Sequence, residues 1–148
     1  YNDLKKLGIE AFELSENRPQ VGDNIEIISG YWERGYSCQI DDFVFRLKEA
    51  SWTFVDSIRY SKPGCKTIGG TSGSPIIDSD SRLVVGVNNT ANESGRRCSM
   101  NNPCEVDENN SVTVRRGATY GQQTYLIYSC LNSQNEFDLQ LPGCELPK

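Results

Sequence analysis

One heptapeptide limits the possible folds of this chain more than any other part of the sequence does. It is Gly69-Gly70-Thr71-Ser72-Gly73-Ser74-Pro75. Two glycines precede the central serine and one follows it, and glycine reaches positive φ angles that a Cβ atom disfavours. The apolar pair after Pro75 predicts a strand that enters the core. We therefore expect a sharp turn, supported from below, that holds the Ser72 hydroxyl outward.

Such a turn can also direct the backbone amides of Gly70, Thr71 and Ser72 at one point, where a negatively charged oxygen would be stabilised. This arrangement makes Ser72 a candidate nucleophile. Gly and Ser are also common turn formers, so a glycine-serine hairpin loop without chemistry is the alternative interpretation.

Short apolar or alternating stretches, separated by turn residues, recur along the chain and predict strands. The predicted strands cover residues 24–29, 40–47, 51–60, 75–77, 83–87 and 111–114. We expect a polar, Asn-rich loop at 88–110, and the spacing of Leu126 and Cys130 predicts a closing helix at 122–131. The fold class is therefore all-β, a sandwich or a barrel with a C-terminal helix.

The length of 148 residues fits one domain. Within residues 1–148 we expect a connecting segment at 1–20 and, after the helix, a tail at 132–148 that a disulfide pins. No signal peptide is visible, and the first residues have the composition of the middle of a domain. We therefore expect a mature product or a fragment.

The cysteines indicate disulfides rather than a metal site. They are Cys38, Cys65, Cys98, Cys104, Cys130 and Cys144. They include no Cys-x-x-Cys pair and the chain has no His, so we expect no metal and no other cofactor. An even cysteine count is typical of a secreted protein. Short loop closure favours the pairs Cys98 with Cys104 and Cys130 with Cys144, which leaves Cys38 with Cys65.

The charge balance argues against two classes of partner. A formal net charge of −5 disfavours nucleic acid and anionic membrane surfaces, and no window approaches the ~18 apolar residues that a membrane span needs. Two basic pairs, Arg96-Arg97 and Arg115-Arg116, interrupt this acidic chain. We expect them to be solvated charges, with contact to a substrate as the alternative.

The run from Gly70 to Pro75 resembles the nucleophile motif of trypsin-like (chymotrypsin-fold) serine peptidases and is most similar to their bacterial secreted branch. Residues 19–23, followed by a strand and a glycine-aromatic turn at 29–32, are similar to the start of that family's second barrel. The resemblance covers residues 21–131. It implies a six-stranded antiparallel Greek-key barrel, the C-terminal barrel of the chymotrypsin fold.

The resemblance assigns roles to residues around the turn. Ser72 would be the nucleophile, and the amides of Gly70 and Ser72 would form the oxyanion hole. The substrate pocket would be built by residues before the serine and by the strand after it: Lys66, Thr67, Ile68, Asn88, Asn89, Thr90 and Ala91.

Two of these pocket residues bear on specificity. Lys66 falls where trypsin-like members place the residue at the pocket base, and a lysine there would favour an acidic or polar side chain. Thr67 resembles a threonine that lines the pocket of glutamate-specific bacterial members, although those enzymes have a histidine where this chain has Asn88. A Lys66 side chain that points to solvent beside Cys65 is the alternative.

The absence of histidine limits what Ser72 can do. A serine hydroxyl is a poor nucleophile until a positioned base accepts its proton. The resemblance implies that His and Asp lie on an N-terminal lobe outside these residues. We therefore expect the lobe of a secreted serine endopeptidase that is inert alone, with a peptide or protein substrate and the N-terminal lobe as partners.

Two alternatives to this function stay open. The first is an inactive protease homologue, a secreted binding module that contacts a partner through the loop at 88–110. The second is an esterase that uses Lys66 as the base of a Ser–Lys dyad.

Overall fold

The computed structural model describes residues 2–146, so Tyr1 of the predicted connecting segment and Pro147 and Lys148 of the predicted tail lie outside the described residues. The described part is mostly β and contains a short α-helix, α1 (Asn2–Lys6), a 3-10 helix (Tyr125–Cys130) and eight strands. The strands are β1 (Asn24–Ser29), β2 (Arg34–Glu49), β3 (Trp52–Tyr60), β4 (Pro75–Asp78), β5 (Val84–Ala91), β6 (Cys104–Val106), β7 (Val112–Thr113) and β8 (Thr119–Gln123).

The strands form an antiparallel sheet in the order β1-β4-β5-β8-β3-β2-β6-β7, and β1 also pairs with β2. The pairings therefore lead from β1 through β4, β5, β8, β3 and β2 and back to β1. Each of these six strands has a hydrogen-bonded neighbour on both sides. β6 and β7 extend the sheet from the C-terminal half of β2.

The core consists mainly of β-branched and aromatic side chains. The larger cluster contains Ile25, Ile27, Tyr36, Ile40, Ile58, Tyr60, Cys65, Ile76 and Val85. A second cluster contains Val44, Leu47, Ala118 and Tyr120. β-branched and aromatic side chains fit a pleated, half-buried surface, and burying each large one stabilises the fold by about 1.5–3 kcal/mol.

The predicted closing helix at 122–131 is wrong. Thr119–Gln123 forms β8, which pairs with both β3 and β5, and only Tyr125–Cys130 is helical, as a 3-10 helix. β8 lies between β3 and β5 in the sheet, and its residues Tyr120 and Gly121 are buried there. Pairing with distant strands has thus overridden a local helical spacing.

The predicted loop at 88–110 is partly wrong as well. β5 continues to Ala91, and Cys104–Val106 forms β6 against β2. β2 begins at Arg34, earlier than expected, because its first residues pair with β1. The six predicted strands are all present, as β1, β2, β3, β4, β5 and β7.

The three predicted disulfides are confirmed, Cys38 with Cys65, Cys98 with Cys104, and Cys130 with Cys144. The first ties β2 to the segment before the Ser72 turn, the second closes the loop after β5, and the third holds the tail to the 3-10 helix. Three disulfides indicate an oxidising, extracellular environment. Within residues 2–146, no helix is long and apolar enough to cross a membrane.

A partly buried group of ion pairs joins β2, β3 and β6. Arg59 donates from Nε to Asp41 (2.7 Å) and from Nη1 to Glu105 (2.9 Å). Glu105 also accepts from Nε of Arg115 (2.9 Å) and from the Tyr120 hydroxyl (3.1 Å). Burial lowers the pKa of Arg59, but the hydrogen bonds to the two carboxylates raise it more, so the pKa lies above its ordinary value. The guanidinium therefore stays charged and holds the three strands together.

The backbone at Gly121 of β8 leaves no room for a side chain, because a Cβ atom there would collide with the δ-methyl group of Ile76 and the hydroxyl of Tyr60. We expect Gly121→Ala to lower the free energy of unfolding by about 1–3 kcal/mol, since the core must shift to accept the methyl group. Gly35→Ala is the matched control, because a Cβ on Gly35 of β2 would meet no heavy atom within 4 Å. Urea unfolding measures both changes, and equal stabilities of the two variants would contradict this packing.

Candidate active site around Ser72

Two consecutive β-turns shape the loop that carries Ser72. In the first, the Thr71 amide donates to the Ile68 carbonyl (3.1 Å) and Gly70 has a φ of +88°. In the second, the Ser74 amide donates to the Thr71 carbonyl (3.1 Å) and Gly73 has a φ of +86°. A positive φ at the third residue is the mark of a type II turn and favours glycine. The predicted sharp turn therefore forms, and its two glycines allow it.

Ser72 occupies the second position of the second turn and is exposed. Its hydroxyl donates to the carbonyl oxygen of Asn89 (2.7 Å). Asn89 lies at an irregularity in the pairing of β5 with β8, and such irregularities often redirect groups at functional sites. A carbonyl oxygen is not a base at neutral pH, so this contact positions the hydroxyl without activating it.

The backbone amides of the turn divide into two sets. Those of Thr71, Gly73 and Ser74 donate to carbonyls of the chain. Those of Gly69, Gly70 and Ser72 have no acceptor in the described part of the chain. Gly70 and Ser72 are the two residues whose amides the sequence motif associates with an oxyanion hole. Both residues are exposed, so their amides are available to an oxygen atom of a ligand.

Trp32 supports the turn from one side. Its indole Nε1 donates to the Gly69 carbonyl (3.0 Å), and a Cβ atom on Gly70 would lie 3.0 Å from the same nitrogen. The Tyr31 ring meets the indole edge-on, with 4.9 Å between the ring centroids. The sequence places these aromatics near the site by resemblance. It does not indicate the contact that fixes the Gly69 peptide, because that contact joins distant parts of the chain.

A buried chain of hydrogen bonds supports the turn from below. The Tyr60 hydroxyl donates to Asn88 Oδ1 (3.0 Å), and Asn88 Nδ2 donates to Thr71 Oγ1 (3.0 Å). The Thr71 hydroxyl donates in turn to the Ile68 carbonyl (2.7 Å). Burial raises the pKa of Tyr60 well above its ordinary value, so the phenol remains a donor. The side chain of Asn88, which was expected in the substrate pocket, therefore also holds the turn in position.

A small cavity of about 60 Å³ opens beside Ser72. Six of the seven expected pocket residues line it, namely Thr67, Ile68, Asn88, Asn89, Thr90 and Ala91. Glu93 and Asn101 line it too, and sequence reasoning missed both. Asn101 is held in place because its backbone amide donates to the buried carboxylate of Glu49 (2.6 Å). The sequence predicts a long polar loop here, and no pattern in it indicates which loop residues lie close to the Ser72 turn.

Asn89 lines this cavity and carries an unused donor. Its side-chain Nδ2 is buried and has no hydrogen-bond partner among the described residues, which costs about 1–3 kcal/mol. Protein atoms cover this nitrogen, so a group in the cavity would reach it only if the Asn89 side chain moved.

Lys66 does not line the Ser72 cavity. It lies on a neighbouring cavity of about 490 Å³, together with Lys62 and Arg116. The Ser72 hydroxyl donates to Asn89 and forms no hydrogen bond to Lys66. The geometry therefore gives no support to a Ser–Lys dyad or to Lys66 as the base of the pocket.

The chain matched no family model, no curated protein and no solved structure. Across residues 2–146, no group of three or more carboxylate or cysteine side chains is arranged to hold a metal ion. The assignment of this site therefore depends on its own geometry and on the sequence motif.

Thr71→Val tests the buried support of the turn. The valine keeps the shape of the side chain but leaves Asn88 Nδ2 and the Ile68 carbonyl without the Thr71 hydroxyl. We expect the free energy of unfolding to fall by about 1–3 kcal/mol and the Ser74 amide to exchange faster with solvent. Thr113→Val, exposed on β7, is the control and should change stability by less than about 0.5 kcal/mol. Unchanged exchange at Ser74 would mean that the turn does not depend on these contacts.

The buried tyrosines Tyr60 and Tyr120 make stability sensitive to alkaline pH. Burial raises the pKa of both, and Glu105 raises that of Tyr120 further. The folded state therefore holds these protons more tightly than the unfolded chain. Their contribution is fully present below about pH 10, the ordinary tyrosine pKa, and is lost as the pH rises through the folded pKa values.

We expect the free energy of unfolding, measured in denaturant at stepped pH, to decline above about pH 10. The decline should be shallower in Tyr120→Phe, which removes one of the two groups. A stability that does not change between about pH 9 and pH 11 would contradict the buried, protonated state of these tyrosines.

Proposed function

We propose that this chain is the nucleophile-carrying lobe of a secreted serine endopeptidase of the trypsin-like type. The six strands whose pairings return to β1 would be the Greek-key barrel that the motif implies. The exposed Ser72, three residues before the start of β4, would be its nucleophile. Residues 1–20 would connect the barrel to an N-terminal lobe.

The observation that carries this proposal is the pair of unused amides, of Gly70 and Ser72, beside an exposed hydroxyl. When the Ser72 oxygen attacks a peptide carbonyl, the carbonyl oxygen becomes negatively charged, and two amides directed at it would stabilise it. One such donor contributes about 10²–10³ to turnover. The C–N bond then breaks, Ser72 carries the acyl group as an ester, and water releases it.

The proton of Ser72 needs an acceptor that the chain does not supply, because it contains no His. A His on the N-terminal lobe, oriented by an Asp, would take this proton and deliver it to the leaving amine. The exposed rings of Tyr31 and Trp32 beside the turn offer an apolar surface on which that lobe would pack. Loss of a triad partner lowers turnover by about 10⁴–10⁶, so the chain alone would be nearly inert.

The Ser72 cavity would hold the side chain that precedes the cleaved bond. Its volume of about 60 Å³ favours a small side chain, and a lining that includes Thr67, Asn89 and Thr90 favours a polar one. Lys66 lies outside the cavity and Glu93 lines it. An acidic side chain is therefore disfavoured at this position.

An inactive homologue that binds a partner is the second candidate. The observation that favours it is the hydrogen bond from Ser72 to the Asn89 carbonyl, which holds the hydroxyl proton away from any base. The loop that the Cys98–Cys104 disulfide closes would then provide the binding surface.

A fluorophosphonate probe, which reacts with activated serines, separates the two candidates. We expect the isolated chain to react at a background rate, and the chain joined to the polypeptide encoded upstream of it to be labelled at Ser72, as located by peptide mass mapping. Gly70→Ala should slow labelling by about 10²-fold or more, because the methyl group strains a positive φ and displaces an oxyanion donor. Ser74→Ala, a neighbouring exchange outside the proposed chemistry, should be labelled normally.

Labelling of a residue other than Ser72, or no labelling of the joined protein, would refute the peptidase. An upstream sequence without a His and an Asp would do the same and would favour the binding module.

A further inference from the structure

A second cavity next to the Ser72 site is lined by basic side chains. We call it the basic groove and define it by Lys62, Lys66 and Arg116, with a volume of about 490 Å³. Among the described residues that line it, Glu93 is the one carboxylate. Glu93 also lines the Ser72 cavity, so the two cavities share an edge.

The walls of the basic groove are tied together. The Lys62 ammonium donates to the Arg116 carbonyl (2.7 Å), and the Thr119 hydroxyl donates to the Cys65 carbonyl (2.8 Å). Cys65 is fixed in turn by its disulfide to Cys38. The groove is therefore formed before a ligand arrives, which reduces the entropy cost of binding.

The positive charges of the groove are not neutralised. Other arginines of the chain form ion pairs with carboxylates, namely Arg18, Arg59, Arg82 and Arg115. The three basic groove residues and Glu93 form no ion pair within residues 2–146. A chain with 20 acidic and 15 basic residues thus leaves three cations together in one concave site.

Positive charge also continues beyond the groove. The Arg116 side chain lies across Gly95, where a Cβ atom would be 3.3 Å from its Cδ. Arg96 and Arg97 follow on the same loop, both exposed and neither in an ion pair among the described residues. The loop therefore extends the basic surface along one side of the groove.

We propose that the basic groove binds an Asp or Glu side-chain carboxylate of an acidic peptide segment. Ammonium and guanidinium groups recognise carboxylates through charge-assisted hydrogen bonds. A nucleic acid fits less well, because its phosphates form a long continuous line of charge, whereas the three cations lie together in one concave site that suits a short acidic segment. This binding goes beyond the proposed peptidase and does not require Ser72 to act as a nucleophile.

Fluorescence anisotropy with a labelled, glutamate-rich peptide tests the proposal on the chain itself, and the same peptide with glutamine at those positions is the ligand control. The acidic peptide should bind and lose affinity as salt is added, since the screening length shortens to about 10 Å at 0.1 M. The glutamine peptide should not bind. In NMR titrations, shift changes should fall on residues 61–66 and 116–119.

Charge reversal locates the site. Lys66→Glu and Arg116→Glu should each weaken binding about three- to fivefold. Lys48→Glu makes the same change of charge at an exposed position on β2 that lines neither cavity, and should leave affinity within about twofold. Thermal unfolding checks that each variant is folded. The comparison of the glutamate and glutamine peptides tests carboxylate binding on the unchanged chain.

Equal binding of the two peptides would overturn the proposal, as would an equal loss in Lys48→Glu or shift changes confined to other parts of the chain. Tighter binding of a single-stranded oligonucleotide than of the acidic peptide would also overturn it and would identify a polyanion site instead.

Discussion

The side-chain amide of Asn88 is the contact on which the Ser72 turn depends. It accepts a hydrogen bond from Tyr60 in the core and donates one to Thr71 in the turn. The backbone of Asn88 adds two more links, to the amide of Gly73 and the carbonyl of Ser74, each 2.8 Å long. Because Tyr60 belongs to the larger core cluster, the position of the turn is set by core packing. A site supported in this way keeps its geometry without a ligand.

The walls around the turn are held by covalent and buried polar contacts. The Cys38–Cys65 disulfide fixes the segment before the turn, and the Cys98–Cys104 disulfide closes the loop that brings Asn101 to the cavity. Cys98 and Asn101 have positive φ angles of 49° and 56°. Such backbone persists only where the surroundings determine it strongly, and here the disulfide and the Glu49 carboxylate do so. The loop is thus a fixed wall of the cavity.

Local patterns predicted the parts of this structure that depend on neighbours in sequence. Alternation located six strands, glycine spacing located the turn, and short loop closure located two disulfides. β8 was missed because its Tyr120 and Gly121 are placed by β3 and β5, which local spacing does not reveal. The position of Asn101 beside Ser72 was missed for the same reason, since it follows from a contact between distant segments.

In the proposed peptidase, positioning and activation of Ser72 belong to different parts of the protein. This chain builds the turn, its support and the free amides of Gly70 and Ser72, but it contains no histidine to act as the base. Freeing the hydroxyl from the Asn89 carbonyl needs a side-chain rotation that gives up one hydrogen bond, worth about 1 kcal/mol. A docked base would contribute a factor of about 10⁴ or more, which corresponds to more than about 5 kcal/mol. The cost of releasing Ser72 is therefore small beside the gain, and docking of a second lobe would be enough to control activity.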